Sequence, residues 1–195
     1  MSCPHVAGAA AYVKSLHPEW SPSAIKSAFM ITEKHKDAEF AYGSGHLDPV
    51  AVADPGLVYE SSEADFIEFL CNMGYNGEKI KLISGHNYTC PREEGDVLST
   101  RHLNYPSMAG SVSPQKQFKV EFGRTVTNLG SVDSIVYSAG IIADINITVE
   151  PETLSFNQLK EKKTFVVSGN SDGVKDRKTT SLHLLQLCGP MAFTM

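Results

Sequence analysis

Four cysteines, Cys3, Cys71, Cys90 and Cys188, and seven histidines, His5, His17, His35, His46, His86, His102 and His183, are the first side chains to weigh for metal binding, nucleophilic attack or proton transfer. No two cysteines stand in C-x-x-C spacing and no histidines in H-E-x-x-H spacing, so neither set puts two ligands on one helical face as a zinc site requires. No metal or other cofactor is expected. Cys3 and His5 are two residues apart, and such neighbours on a helix point to different sides, which argues against a thiol–imidazole dyad. Cys71 and Cys90 would close a short loop, and bridging it would contribute on the order of 3 kcal/mol in the chain-entropy account. In an oxidising compartment the two form a disulfide; in a reducing one they are two buried thiols, and spacing alone leaves both open. The sequons Asn87-Tyr88-Thr89 and Asn146-Ile147-Thr148 make Asn87 and Asn146 candidate N-glycosylation acceptors and favour the secretory alternative.

The elements that hold these residues fall into two kinds. Pro4 followed by small and apolar residues predicts a helix entered at its first turn. Gly8, Ala9, Ala10 and Ala11 make that helix thin, which predicts deep burial. Ser21 is placed to cap a second helix with Pro22 at its first position, and Ala24, Ile25, Ala28, Phe29 and Ile31 form its core-facing stripe. Tyr42-Gly43-Ser44-Gly45-His46 reads as a loop and Asp54-Pro55-Gly56 as a turn. Ser62 and Asp65 have capping-box spacing for a helix over 64–73 closed by Gly74, and a further short helix is expected over 78–84. From Leu103 on the pattern alternates: Phe118-Lys119-Val120-Glu121-Phe122, then Arg124-Thr125-Val126-Thr127-Asn128, then 145–149 up to Pro151, then 164–167. Short strands between turn signals predict an antiparallel β-sandwich.

Composition narrows the function classes. The 195 residues are 42% hydrophobic and 20% charged, which argues against wholesale disorder. Seventeen Lys and Arg against 22 Asp and Glu give a net charge of −5, so no basic excess exists to displace counterions from nucleic acid. No apolar run reaches the roughly 18 residues of a membrane span. The apolar start up to Lys14 has its first basic residue after the apolar stretch, not before it, so it is not read as a signal peptide.

Several motifs, in order, resemble one family. Met1-Ser2-Cys3-Pro4-His5-Val6-Ala7-Gly8 is similar to the tail of the subtilisin-family serine signature, with Met1 at the position just after the nucleophile. Leu16-His17-Pro18-Glu19-Trp20-Ser21-Pro22-Ser23-Ala24-Ile25, Tyr42-Gly43-Ser44-Gly45-His46, Asp54-Pro55-Gly56-Leu57-Val58-Tyr59, Phe69-Leu70-Cys71 with Gly74-Tyr75, and Cys90-Pro91 resemble the plant subtilases of the cucumisin-like group. Leu103-Asn104-Tyr105-Pro106-Ser107, Arg124-Thr125-Val126-Thr127-Asn128 and Val149-Glu150-Pro151 with Leu154-Ser155-Phe156 resemble that group's fibronectin type III-like domain. The match extends over about residues 1–167.

The resemblance implies an α+β chain: a helical remnant of a subtilisin-type α/β catalytic domain (1–91), a linker (92–102) and a fibronectin type III-like antiparallel β-sandwich (103–195) that diverges or is truncated after about 170. It implies a fragment of a serine endopeptidase of secreted proteins, extracellular in the apoplast or cell wall, with protein or peptide substrates and no nucleic-acid or membrane partner. It also implies that no catalytic residue is present, because the nucleophile would precede Met1 and the family's Asp, His and oxyanion Asn lie upstream of it. His5 is not a member of that triad. Residues 32–36 look shortened relative to the family. The alternatives are a non-catalytic extracellular interaction module and a truncated, nonfunctional product.

Overall fold

The computed structural model describes residues 2–31, 46–90, 100–111, 117–130, 134–136, 140–142, 145–171 and 181–184. The loop expected over 42–45, the shortened segment 32–36 and most of the linker lie outside the described residues.

The helical half holds α1 (Ser2–Leu16), α2 (Pro22–Ile31), α3 (Pro49–Ala53), α4 (Glu63–Asn72) and α5 (Gly77–Ser84). Local chemistry sets their ends. Ser21 Oγ accepts from Ala24 N at 3.1 Å, and Asp48 Oδ1 accepts from Val50 N and Ala51 N ahead of α3. The capping box on α4 is complete: Ser62 N donates to Asp65 Oδ2 at 2.6 Å and Asp65 N to Ser62 Oγ at 3.3 Å. At the other end Gly74 takes φ 85°, its N–H reaching Cys71 O while Tyr75 N reaches Leu70 O. That is a Schellman closure, which glycine adopts without a Cβ penalty.

One expectation fails. α1 is thin, but it is not deeply buried: of its residues only Ala9 and Val13 are buried, and Val6, Tyr12 and Leu16 are each nearly half exposed. Small side chains permit close approach, yet burial also needs an element to approach, and among the described residues α1 packs mainly against α2 and α3. The α2 stripe is as read, with Ala24, Ile25, Ala28 and Ile31 buried and Phe29 half-buried.

Every strand pair among the described residues is antiparallel. A five-stranded sheet runs in the order β1-β3-β8-β6-β5, from β1 (Leu57–Val58), β3 (Phe118–Asn128), β8 (Lys162–Ser171), β6 (Ile145–Glu150) and β5 (Gly140–Ile142). Two pairs complete it: β2 (Met108–Ser111) with β9 (Ser181–Leu184), and β4 (Ser134–Val136) with β7 (Thr153–Ser155). The two alternating runs on either side of Gly123 are one continuous strand, paired with β8 from Phe118↔Ser171 to Thr127↔Lys162. β6 ends at Glu150, and the Glu150–Pro151 bond is cis. Ser181–Leu184, past the point where divergence was expected, forms a strand and pairs with β2.

Two cores result. In the sandwich, Val120, Phe122, Val126, Ile147, Val149, Phe165 and Val167 from the large sheet meet Met108, Leu154 and Phe156. The second core packs Val13, Trp20, Ala24, Ile25, Ala28, Val52 and Val58. The halves are not separate: Ile31, Leu57 and Tyr59 belong to the sandwich core, and β1 extends the sheet at Leu57↔Asn128 and Val58↔Thr127. The Asp54-Pro55-Gly56 turn is held there too. Gly56 O accepts from Leu129 N and Gly130 N at 2.8 and 2.9 Å, and a Cβ on Gly130 would sit 2.8 Å from Gly56 Cα.

Candidate functional site

Two places hold functional groups: the open start of α1 and the junction between the helical and β halves. The first turn of an α-helix carries backbone N–H groups with no partner inside the helix, and the helix dipole adds partial positive charge there. In α1 this end is exposed from Ser2 to Gly8 and has no acidic residue in its first turn to offset that charge. Cys3 and His5 are both exposed on it. The opposite end of α1 is anchored: Lys14 Nζ donates to Trp20 O at 2.6 Å, His17 stacks on Trp20 with ring centroids 4.0 Å apart, and His17 Nε2 bonds Ala53 O at 2.8 Å. His17 is therefore a structural group tying α1, α2 and α3 together.

The junction is built on Glu60, Asn104 and Arg124. Glu60 follows β1, and its carboxylate accepts from Ser21 Oγ at 3.3 Å and from Thr127 Oγ1 at 2.9 Å, with Lys162 Nζ at 3.4 Å. One side chain thus links the α2 cap to β3 and β8. Asn104 Nδ2 donates to Glu60 O and Thr125 O at 2.7 and 2.8 Å, and Asn104 Oδ1 accepts from Thr125 N at 2.9 Å. Ser61 Oγ donates to Asn104 O, and Ser27 Oγ accepts from Tyr59 N. Arg124 is 3% exposed, and its guanidinium donates to Tyr105 O, Arg101 O, Gly123 O and Ser107 O at 2.6–3.4 Å. Burial pushes its pKa down to about 10, so it keeps its proton at neutral pH.

The motif residues Asn104 and Arg124 thus have a structural role, clamping the segment before β2 onto β3. The sequence reading missed Glu60 altogether and assigned no role to the other two. A signal existed for one of them: Arg124 interrupts the inward positions Phe122 and Val126 of an alternating strand, and a charge on the buried face needs a dedicated set of acceptors.

Cys71 and Cys90 are joined, with Cα atoms 5.8 Å apart, which clips the end of α4 to the segment after α5. Asn87 and Asn146 are both exposed, the first in coil and the second on β6. His46, His86 and His102 are exposed and scattered, and no cluster of three potential metal ligands occurs among the described residues. His35 and Cys188 lie outside them.

With this geometry in view, comparison with known proteins is direct. Residues 1–45 match the family model described as the subtilase family, and residues 102–185 match that of a fibronectin type-III domain. The chain belongs to the subtilase family and carries a fibronectin type III-like domain. Among its relatives in Arabidopsis thaliana, it is 46% identical to subtilisin-like protease SBT4.6 and 45% identical to subtilisin-like protease SBT4.4, in each case over 95% of this chain and 26% of the relative. Against subtilisin-like protease SBT4.3 it is 46% identical over 90% of this chain and 25% of the relative. The chain therefore spans about a quarter of the length of the curated relatives it matches. No helix among the described residues is long and apolar enough to cross a membrane.

Proposed function

We propose that these 195 residues are the part of a plant subtilisin-like serine endopeptidase that supports the nucleophile from below and braces the catalytic domain against a β-sandwich. Residues 1–91 are then the helical part of the catalytic domain, 92–102 the linker and 103–195 the fibronectin type III-like domain. The observation that carries the reading is α1: its first turn holds no acidic residue to offset the helix dipole, and family order places it directly after the serine. Acyl transfer develops negative charge on the substrate oxygen, and unpaired N–H groups with a helix dipole favour negative charge near that end.

What this chain supplies is electrostatic support and position. The nucleophile, the base, its orienting carboxylate and the oxyanion amide belong to family segments that no residue here matches. These residues alone are inert toward peptide bonds. Substrates of the whole enzyme are secreted proteins or peptides, and the setting is extracellular. The Cys71–Cys90 bond supports that setting, since disulfides persist in oxidising compartments.

The test is to express the 195 residues, confirm folding by circular dichroism, and assay peptide hydrolysis and fluorophosphonate labelling. The expected result is no labelling and no turnover. Labelling that disappears on replacing one serine of this chain would overturn the proposal.

A further inference from the structure

The last turn of α1 is tied to the residues that open α2. Lys14 Nζ donates to Trp20 O, the His17 ring lies on the Trp20 indole, and Trp20 N donates to His17 O at 3.1 Å. Whatever fixes residues 20 and 21 therefore bears on the direction of α1. Residue 21 is fixed from across the junction. Ser61 N donates to Ser23 Oγ at 3.2 Å, the Ser23 and Ser21 hydroxyls are 3.0 Å apart, and Ser21 Oγ donates to Glu60 Oε1 at 3.3 Å. Ser21 has a single hydroxyl proton and gives it to the carboxylate, so the proton between the two serines comes from Ser23. Each group then donates in one direction, toward Glu60. The other carboxylate oxygen accepts from Thr127 Oγ1 of β3 at 2.9 Å and faces Lys162 Nζ of β8 at 3.4 Å.

Two routes thus run from the sandwich to the start of α2. One is backbone and apolar: β1 pairs Val58 with Thr127, and Val58 packs in the core that holds Trp20. Apolar contact is non-directional, so this route brings the elements together without fixing how α2 is turned. The other is the Glu60 side chain. It is directional, because hydrogen bonds weaken steeply off axis, and it is partly buried, where solvent and salt screen a charge less than at the surface. We propose that Glu60 is a positioning residue, through which the β-sandwich sets the start of α2 and, by way of Trp20, the orientation of α1. Its consequence for catalysis rests on the reading above, in which α1 follows the nucleophile: sandwich residues then alter turnover without touching substrate. The coupling itself is a property of this chain and is tested on it.

Trp20 is the one tryptophan of the sequence and is buried, so its emission reports on the α1–α2 connection. In the full 195-residue chain, Thr127→Val removes the donor to Glu60 but keeps the size of the side chain and the Val58–Thr127 ladder. It is expected to move Trp20 emission to the red and to speed amide exchange over 9–16 severalfold. Thr127→Ser, which restores the hydroxyl, is expected to leave both as in the unmutated chain. In a Glu60→Met background, which has no acceptor to lose, Thr127→Val should add no further shift. Lys162→Met repeats the comparison at a side chain 60% exposed, where folding is not at stake, and should give a smaller shift that again vanishes in Glu60→Met. Equal shifts in both backgrounds would assign the coupling to the ladder and overturn the proposal. A lowered urea midpoint with unchanged Trp20 emission would show a merely stabilising contact and overturn it too. Serine labelling of the chain, by contrast, would overturn the function proposed above and leave these outcomes as they stand.

Discussion

Arg124 shows how one buried charge organises its surroundings. It sits on the inner face of β3, where Phe122 and Val126 flank it, and its N–H groups satisfy the carbonyls of Arg101, Tyr105 and Ser107. Replacing it by methionine keeps much of the stem but removes the hydrogen bonds it gives those carbonyls, at an expected cost of about 3 kcal/mol. The check is the urea midpoint at constant slope. Arg124→Lys should fall between, since an ammonium restores charge but not the planar fork. Burial lowers its pKa from the ordinary guanidinium range to about 10. Only above about pH 10 does the unfolded chain hold a proton that the folded one has released, so stability would rise with pH there alone. Below about pH 9 both states are protonated, and the difference between wild type and Arg124→Met should be flat with pH. A slope in that range would mean that another group titrates with it.

At the scale of elements, α4 and α5 form a hairpin with little core of its own. Ile67 and Ile80 are its buried apolar side chains, while Phe66, Met73, Leu82 and Ile83 face outward. Its integrity rests on the Ser62–Asp65 box, the Gly74 closure and the Cys71–Cys90 bond. Ser62→Ala should cost about 1 kcal/mol. Cys71→Ser with Cys90→Ser should cost about 3 kcal/mol on the loop-entropy argument, and the loss should be local. Hydrogen exchange is the measurement that resolves it: amides of α4 and α5 should speed up while those of β3 and β8 hold. Equal acceleration in both would show that the hairpin and sandwich unfold as one unit.

Across the whole molecule, packing contacts reach over the interval that reads as a linker in sequence. β1 lies on the helical side of that interval yet pairs with β3, and Ile31, Leu57 and Tyr59 fill the sandwich core. A chain cut to residues 103–195 would lose those three side chains and the Glu60 contacts to Asn104, Thr127 and Lys162. It would also expose the β3 edge at Thr127 and Asn128, a template for pairing with another chain. It should associate or precipitate, whereas residues 1–195 should stay monomeric; size-exclusion chromatography separates the outcomes. A monomeric, cooperatively folding 103–195 would show that the shared core adds little.

What the residues themselves settled was local. Ser21 with Pro22, Ser62 with Asp65, and Gly74 each fix a helix end through bonds spanning a few residues, and the alternation of β3 and β8 follows from the two-residue period of a strand. Family order in the motifs was legible too, because those residues lie along one chain. Tertiary structure alone decided the rest. The two-residue β1 carries no period to read, and Glu60 has its role only because α2, β3 and β8 converge on it. The small side chains of α1 say that close packing is possible, not that a partner is there. Caps and periodicity act within a turn or a strand, while burial depends on elements brought together from distant parts of the chain.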